Sequence, residues 1–242
     1  MKNLKKVLSL VLALAMALSL MTAAFAADAS DYKDYSKVTY KEAVDVMTAA
    51  GIFNGGDGNN FNPDANLNRE QAAKIITYML VGQDAADKLT ASIAPYADVA
   101  ATRWSAGSIA YCTNEGIIAG DGNGRFNPTA PVLGTQFAKM LLVALGYDAK
   151  IEGYVGKDWA TNVAVDMVSA GIDVKGITLS DPLSRDNAAQ MAFQTLTADM
   201  VYYTNKGTEV TTSDGTSIVI GASDAAKVAN SQTNDYRTTN RD

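Results

Sequence analysis

Apolar residues recur at helical spacing in front of three glycines, Gly51, Gly116 and Gly171. Each glycine is preceded at four and seven residues by an apolar side chain and is followed directly by an isoleucine. The preceding pairs are Met47 and Val44, Cys112 and Ile109, and Met167 and Ala164. An apolar stripe that ends at a glycine is typical of a helix stopped by a left-handed residue, so the pattern predicts three equivalent helices.

A second apolar stripe follows each of these helices. It opens at Arg69, Gly134 or Arg185, with apolar residues seven and eleven positions further on: Ile76 and Leu80, Leu141 and Leu145, Ala192 and Leu196. Asn68, Thr135 and Ser184 are the candidate N-caps of these second helices, and Thr39 with Glu42 predicts a capping box on the very first helix. Since a single helix–loop–helix unit cannot bury both of its stripes, we expect a mainly all-α fold in which three units pack together.

The domain boundaries follow from this repeat. Three units are predicted at 38–82, 96–146 and 157–198, with linkers at 27–37, 83–95 and 147–156 and a tail at 199–242. In the tail, 209–220 is rich in Thr, Val and Ile around Asp214-Gly215, which predicts a short β-hairpin, and we expect disorder from 223 onward. A lone hairpin is marginal in water, so it must dock on the bundle or belong to something larger.

The loop inside the first unit, GGDGNNFNPDANLNRE (55–70), is nearly repeated in the second as AGDGNGRFNPTAPVLGT (119–135). Gly, Asn, Asp and Pro make tight turns, and Phe61 or Phe126 would tuck its ring over the two helices, so a structural role is favoured over ligand binding. A calcium loop needs Gly at its sixth position and Glu at its twelfth. These loops have Asn62 and Asn68, or Phe126 and Val132, so no metal is predicted.

The N-terminus has the layout of a secretory signal peptide at 1–26. Lys2, Lys5 and Lys6 precede an apolar run from 7 to 21, and Ala24-Phe25-Ala26 resembles a cleavage site. The apolar run is too short to serve well as a spanning helix, so we expect an exported protein with no stable membrane span after cleavage.

Charge and composition exclude several classes of function. The chain has 20 basic and 26 acidic residues, so loss of the three lysines of the signal peptide leaves 17 against 26, a net charge of −9. An acidic surface argues against a nucleic-acid partner. The absence of His excludes His-based triads and His-ligated zinc, and nothing in the sequence indicates a cofactor. With one Cys there is no internal disulfide, and Cys112, at the position of Met47 and Met167, is interpreted as a core hydrophobe.

Taken together, these motifs resemble S-layer homology domains. They are an aromatic-x-Asp-Val start at Tyr96 to Val99, a Trp that opens the first helix at Trp104 and Trp159, the DG loop, and an Arg followed by an acid at Arg69-Glu70 and Arg185-Asp186. The resemblance covers roughly 38–197 and implies a pseudo-threefold bundle of three units. It further implies non-covalent anchoring to the cell wall in grooves between units, commonly through a pyruvylated secondary polysaccharide and in some lineages through modified peptidoglycan.

The matching residues define the expected polymer-binding set: Arg69, Glu70, Asp98, Trp104, Trp159, Arg185 and Asp186. An Arg at a helix start offers a planar fork of donors to a carboxylate, and a Trp offers a flat face to a sugar ring. The sequence departs from the family in the second unit, where Leu133-Gly134-Thr135-Gln136 has lost both the Arg and the acid, and in the first unit, where Thr39 stands at the Trp position. We therefore expect one or two working grooves.

Each of these residues also has a structural interpretation. Arg69 and Arg185 would then pair with a loop acid, the two tryptophans would be core anchors, and Asp98 would form a turn. The leading function is a non-catalytic wall-binding module of a surface-layer or other exported protein. The alternatives are a self-assembly module whose units pair between chains, the N-terminal anchor of a larger extracellular enzyme, and a polysaccharide hydrolase that pairs Glu70 with Asp186.

Overall fold

A computed structural model describes residues 28–211, 217–221 and 227–228. The predicted signal peptide and most of the segment after 221 therefore lie outside the described residues. Seven α-helices occur in the described part: α1 Lys41–Ala49, α2 Arg69–Val81, α3 Gln83–Ala86, α4 Ala106–Asn114, α5 Gly134–Ala144, α6 Trp159–Ser169 and α7 Arg185–Thr197. Two 3-10 turns precede them, Ala29–Asp31 and Tyr35–Lys37. The mainly α-helical class predicted from the sequence is confirmed.

The three units close on one another around a pseudo-threefold axis. The backbone N–H of Leu67 donates to the carbonyl of Leu183 (2.8 Å), that of Leu183 donates to Val132 (2.9 Å), and that of Val132 donates back to Leu67 (2.9 Å). All three side chains are buried. A cyclic set of hydrogen bonds satisfies these buried backbone groups without a sheet, because each unit supplies one donor and one acceptor.

Each second helix packs against the first helix of the next unit. The pairs are α2 with α4, α5 with α6, and α7 with α1. In the first pair Glu70 contacts Ser105 and Thr77 contacts Cys112, so both helices advance by seven residues between the contacts and run in the same direction. Cys112 is fully buried, and burial raises the pKa of its thiol to about 12, which confirms it as a core residue.

Each of the first two units contains a pair of aromatic rings in contact. The ring centres of Tyr32 and Phe61 lie 5.7 Å apart, and those of Tyr96 and Phe126 lie 5.4 Å apart. Phe61 and Phe126 are buried, so the structural role predicted for the DG loops is confirmed. Tyr32 lies within the segment 27–37 that the sequence pattern assigned to a linker, so the repeated structure of the first unit extends upstream of 38.

Helix caps agree with the predictions at two of four sites. Asn68 accepts from the backbone N–H of Gln71, and Ser184 accepts from that of Asn187. The predicted cap at Thr135 is wrong, because α5 already begins at Gly134. The predicted Thr39–Glu42 capping box is also wrong. The N-cap of α1 is Tyr40, and the carboxylate of Asp186, from the third unit, accepts from the backbone N–H of Thr39 (2.7 Å) and Tyr40 (3.3 Å) instead.

The tail contains two short antiparallel ribbons. Strand β1 Val201–Tyr202 pairs with β4 Lys227–Val228, and β2 Thr208–Thr211 pairs with β3 Ser217–Ile220 in the register Thr208 to Ile220. The predicted hairpin is therefore confirmed, while its turn lies outside the described residues. The tail docks on the bundle, since Val201 N–H donates to Leu145 O (2.9 Å) and Asp148 N–H donates to the Tyr203 hydroxyl (3.1 Å). The strand at β4 falls in the stretch for which disorder was predicted.

Candidate functional site

Arg69 and Arg185 occupy equivalent positions in two units, and each donates hydrogen bonds to backbone carbonyls in the loop of a neighbouring unit. Arg69 Nε donates to Phe126 O (2.8 Å) and Nη2 donates to Ala119 O (3.0 Å), with the guanidinium 4.5 Å from the Phe126 ring centre. Arg185 repeats this on Phe61 O (2.8 Å) and Asn54 O (2.9 Å). Neither guanidinium forms an ion pair with a carboxylate in the described part of the chain. The loop contacts use only Nε and Nη2, so the charge of each guanidinium and its Nη1 donors are left for a ligand.

The second unit has Gly134 in place of the arginine, because the loop of the third unit lies too close to this position for a side chain. A Cβ placed on Gly134 would lie 2.8 Å from Leu179 Cα and 3.0 Å from Leu179 O, and Thr135 N–H donates to that same carbonyl at 2.7 Å. The loop of the third unit is the shorter one, and its backbone fills the space that an arginine side chain takes at the other two positions. The glycine at 134 and the close approach of the short loop therefore occur together at this boundary.

Asp98 holds the DG loop of its own unit. Its carboxylate accepts from the backbone N–H of Phe126 and of Asn127, both at 2.8 Å. These hydrogen bonds keep the pKa of Asp98 below its ordinary value although burial acts in the opposite direction. In the first unit, the Asp34 carboxylate accepts hydrogen bonds from the backbone N–H of Phe61 and of Asn62, both at 2.7 Å. Sequence reasoning missed Asp34, although Tyr32-Lys33-Asp34 carries the same aromatic-x-Asp signal as Tyr96-Ala97-Asp98.

The two acids that follow the arginines are buried and fully used within the fold. Glu70 accepts from Arg103 Nε (2.7 Å), Arg103 Nη2 (2.9 Å) and Ser105 Oγ (2.6 Å), and Asp186 caps the entry to α1. Each contacts a different neighbouring unit, so they form no carboxylate pair of the kind a glycoside hydrolase needs. The acid position of the family motif, two residues after the arginine, is held by Gln71, which completes the cap of α2.

Both tryptophans lie at a boundary between units, next to a lysine of the preceding second helix. Lys74 Nζ is 5.4 Å from the Trp104 ring centre, and Lys139 Nζ is 5.8 Å from that of Trp159. Trp104 is 56% exposed, so it is not a core anchor, and Trp159 is half-buried. Each lysine stands five residues after the start of its helix, and this shared offset was the signal that sequence reasoning missed. The third boundary has Gln190 and Thr39 at these positions.

The structure brings some predicted residues together and separates others. Arg69 and Asp98 meet at the loop of the second unit, through Phe126. Trp104 lies at the same boundary but against Lys74, which is five residues from Arg69 and so faces a different side of α2. A cavity of about 500 Å³ beside the tail is lined by Tyr111, Tyr147 and Tyr202 among others, and by none of the seven predicted residues.

The pseudo-threefold helical bundle with aromatic and cationic side chains at its unit boundaries defines a repeat module of the S-layer homology class. The family model described as the S-layer homology domain matches residues 31–73 and 95–138. The first two units are therefore S-layer homology domains. This match, together with the surface-layer and cell-wall relatives of the chain, indicates that the protein is associated with the cell wall outside the cell. The third unit is not matched by that model. Its helix–loop–helix layout follows that of the first unit, and Arg185 repeats the loop contacts of Arg69.

Relatives of this chain carry cell-surface names. It is 29% identical to a cell surface protein of Thermoanaerobacter kivui over 87% of this chain and 27% of that protein. It is also 29% identical to a surface layer protein of Brevibacillus choshinensis, over 63% of this chain and 14% of that protein. It is 26% identical to an uncharacterized cell wall amidase of Bacillus anthracis over 54% and 25%. The chain thus spans about a quarter or less of the length of these curated relatives. Among the described helices, none has the length and apolar character needed to cross a membrane.

Proposed function

We propose that this chain is a non-catalytic anchoring module that binds a secondary cell-wall polysaccharide in the grooves between neighbouring units. The observation that carries the proposal is the repeated contact between an accessible tryptophan and a lysine at two unit boundaries. A tryptophan face stacks on a sugar ring, and a neighbouring ammonium binds an acidic substituent of that ring. The chain carries a net charge of −6, so cations placed locally decide where an acidic polymer binds.

Arg69 and Arg185 are the further ligand-binding residues of the proposal. Both are charged, lie at a helix N-terminus and retain donors that the loop carbonyls do not use. Our proposal gives Glu70, Asp98 and Asp186 a positioning role in place of the polymer-binding role expected from the sequence. They position the loops and helix starts that carry the cations, because their oxygens already accept hydrogen bonds from the protein.

The proposal does not include catalysis. Relatives such as the cell wall amidase are several times longer than the region that this chain matches, which fits a shared anchoring module attached to different partners. Within the described part of the chain, the buried acids are committed to structural hydrogen bonds. No cluster of three potential metal ligands occurs there either.

Co-sedimentation with purified cell-wall sacculi tests the proposal. Walls are compared before and after acid extraction of the secondary polymer, and the mature chain from residue 27 onward is used. Binding that needs the polymer and is lost in Trp104→Ala supports the proposal, whereas binding that survives extraction would instead assign modified peptidoglycan as the ligand. If the protein stays in the supernatant when it is mixed with untreated walls, wall anchoring is wrong for this chain.

A further inference from the structure

A cavity of about 500 Å³ lies between the helical bundle and the tail, and we call it the tail pocket. Its lining includes Leu80 near the end of α2, Tyr111 near the end of α4 and Val143 near the end of α5, together with residues 200–203 of the tail. Leu80 follows Arg69 by eleven residues, so the pocket lies roughly 16 Å along α2 from the loop contacts of that arginine. Its volume falls in the range of about 300–1,000 Å³ that small-ligand sites have.

The tail closes this pocket by binding to the connector that follows α5. Val201 N–H donates to Leu145 O (2.9 Å), and Asp148 N–H donates to the Tyr203 hydroxyl (3.1 Å). The same hydroxyl donates to the carboxylate of Glu152. Val201 and Tyr203 are both buried, so the tail side of the pocket is held in place by the protein itself. A preformed wall of this kind lowers the ordering cost of binding a ligand.

Four tyrosines line the tail pocket. They are Tyr111 of α4, Tyr147 of the connector, and Tyr202 and Tyr203 of the tail. A tyrosine ring offers an apolar face to the C–H groups of a sugar, and its hydroxyl both donates and accepts hydrogen bonds. Burial and the charge of Glu115 raise the pKa of Tyr111 to about 12, so this hydroxyl keeps its proton at neutral pH.

Two ion pairs between the connector and the tail also line the pocket. Lys206 Nζ lies 2.9 Å from Asp148 Oδ2, and Lys150 pairs with Glu209. With Glu115, the lining has three acids and two lysines, and 2 − 3 gives a formal charge of −1. An acidic ligand is therefore disfavoured. Hydroxyl groups can still bind here, because an ammonium has three donors and one ion pair does not use them all.

We propose that the tail pocket binds a neutral, hydroxyl-rich sugar ring, with the tyrosine rings against its faces and the ion-paired side chains against its hydroxyls. An apolar ligand would leave these charged groups without hydrogen-bond partners, whereas a sugar satisfies them and also covers the aromatic faces. The tail pocket differs from the proposed grooves between units both in place and in ligand chemistry, because the grooves carry cations for an acidic polymer. The proposal does not depend on binding in those grooves.

Isothermal titration calorimetry of the mature chain, from residue 27 onward, tests this proposal. The neutral probes are methyl β-glucoside and methyl β-N-acetylglucosaminide. The matched acidic probe is methyl β-glucuronide, which has the ring of the glucoside with a carboxylate in place of the hydroxymethyl group. We expect at least one neutral glycoside to bind with a Kd of about 1 mM, and the glucuronide to bind about fivefold or more weakly than the glucoside.

Substitutions locate this binding in the tail pocket. Tyr111→Ala and Tyr202→Ala each remove a ring and should weaken binding of the neutral glycoside about tenfold. Tyr111→Phe keeps the ring and should retain most of the affinity, which separates loss of the aromatic face from loss of folding. Glu115→Gln removes one negative charge and should narrow the gap between glucoside and glucuronide. The control is the double variant Trp104→Ala/Trp159→Ala, which lacks the groove tryptophans and should bind the neutral glycoside unchanged.

Three results would overturn the proposal. They are the absence of binding by both neutral glycosides, equal affinity of the glucoside and the glucuronide, and unchanged binding in both Tyr111→Ala and Tyr202→Ala. Loss of neutral binding in the double tryptophan variant would assign the sugar to the grooves and would also contradict it. Co-sedimentation with walls reports separately on the proposed function. A chain that binds a neutral glycoside in the tail pocket but does not pellet with walls contradicts wall anchoring alone.

Discussion

Glu70 and Arg103 form a two-pronged ion pair across the boundary between the first and second units, with Arg103 Nε 2.7 Å and Nη2 2.9 Å from the carboxylate oxygens. The Glu70 side chain is only 4% exposed and that of Arg103 30% exposed. A pair of this kind orients the units relative to each other, and removal of one partner leaves the other charge poorly solvated.

Glu70→Gln should therefore lower the free energy of unfolding by about 2 kcal/mol, discounted from a fully buried pair because Arg103 reaches solvent. Urea unfolding of the mature chain measures this change. Asp64→Asn removes an exposed carboxylate and should stay within about 0.5 kcal/mol of the unsubstituted protein. A Glu70→Gln protein as stable as the Asp64→Asn protein would show that the ion pair contributes no net stability.

The same pair predicts a pH dependence. Burial alone would raise the pKa of Glu70, but the hydrogen bonds from Arg103 and Ser105 and the charge of Arg103 bring the pKa below its ordinary value of 4.5. As the pH falls below 4.5, the unfolded chain takes up the proton first, so the stabilisation present at neutral pH is lost as the pH approaches the folded-state pKa. The stability gap between unsubstituted and Glu70→Gln proteins should narrow from about pH 7 to about pH 3. A gap that stays constant or widens toward acid would contradict the lowered pKa.

The hydrogen-bonded ring of Leu67, Val132 and Leu183 predicts that the three units unfold together. Leu183→Ala removes a side chain that is 1% exposed at the pseudo-threefold axis, which should cost about 3 kcal/mol. Unfolding should stay a single transition followed equally by circular dichroism and tryptophan fluorescence. The control is Val168→Ala, at a position 67% exposed, with little expected change. Two separate transitions in the unsubstituted protein would mean that the units are not coupled at this axis.

Gly134 tests the link between the missing arginine and the short loop. Gly134→Ala places a methyl group against the Leu179 backbone and should destabilise the protein by about 1–3 kcal/mol, although alanine is the better helix former. Thr135→Ala in the same turn is the reference substitution, measured by the same urea titration. If Gly134→Ala were neutral or stabilising, close packing would not be the reason for the glycine.

The helices and their grouping into units were predictable because the apolar periodicity is local. Each stripe lies within about three turns, and the stripe of each unit's first helix ends at a glycine such as Gly51, whose φ of 69° is left-handed. The caps at Asn68 and Ser184 were predictable for the same reason. The entry to α1 was not, because its acceptor is Asp186, which is 147 residues away from Thr39 in the chain.

The candidate site was less predictable than the fold. The family resemblance led to the expectation that Arg69 and Trp104 lie in grooves between units, but which neighbour each side chain contacts depends on tertiary packing. Glu70 is an example, because its partner Arg103 lies in the next unit and is unrelated to it by any local spacing. Lys139 has no local signal that distinguishes it from Lys74, since the difference is the presence of Asp87 beside only one of them.

Wall binding by Trp104→Ala is the decisive measurement. Trp104 is exposed, so its replacement should leave folding intact, and Lys88→Ala on the exposed connector is the control for general charge effects. With untreated sacculi we expect at least tenfold weaker pelleting for Trp104→Ala, a comparable loss for Arg69→Lys, which keeps the charge but not the fork, and no change for Lys88→Ala. Equal pelleting of all four proteins, or pelleting unaffected by extraction of the secondary polymer, would contradict polysaccharide binding in the grooves between units.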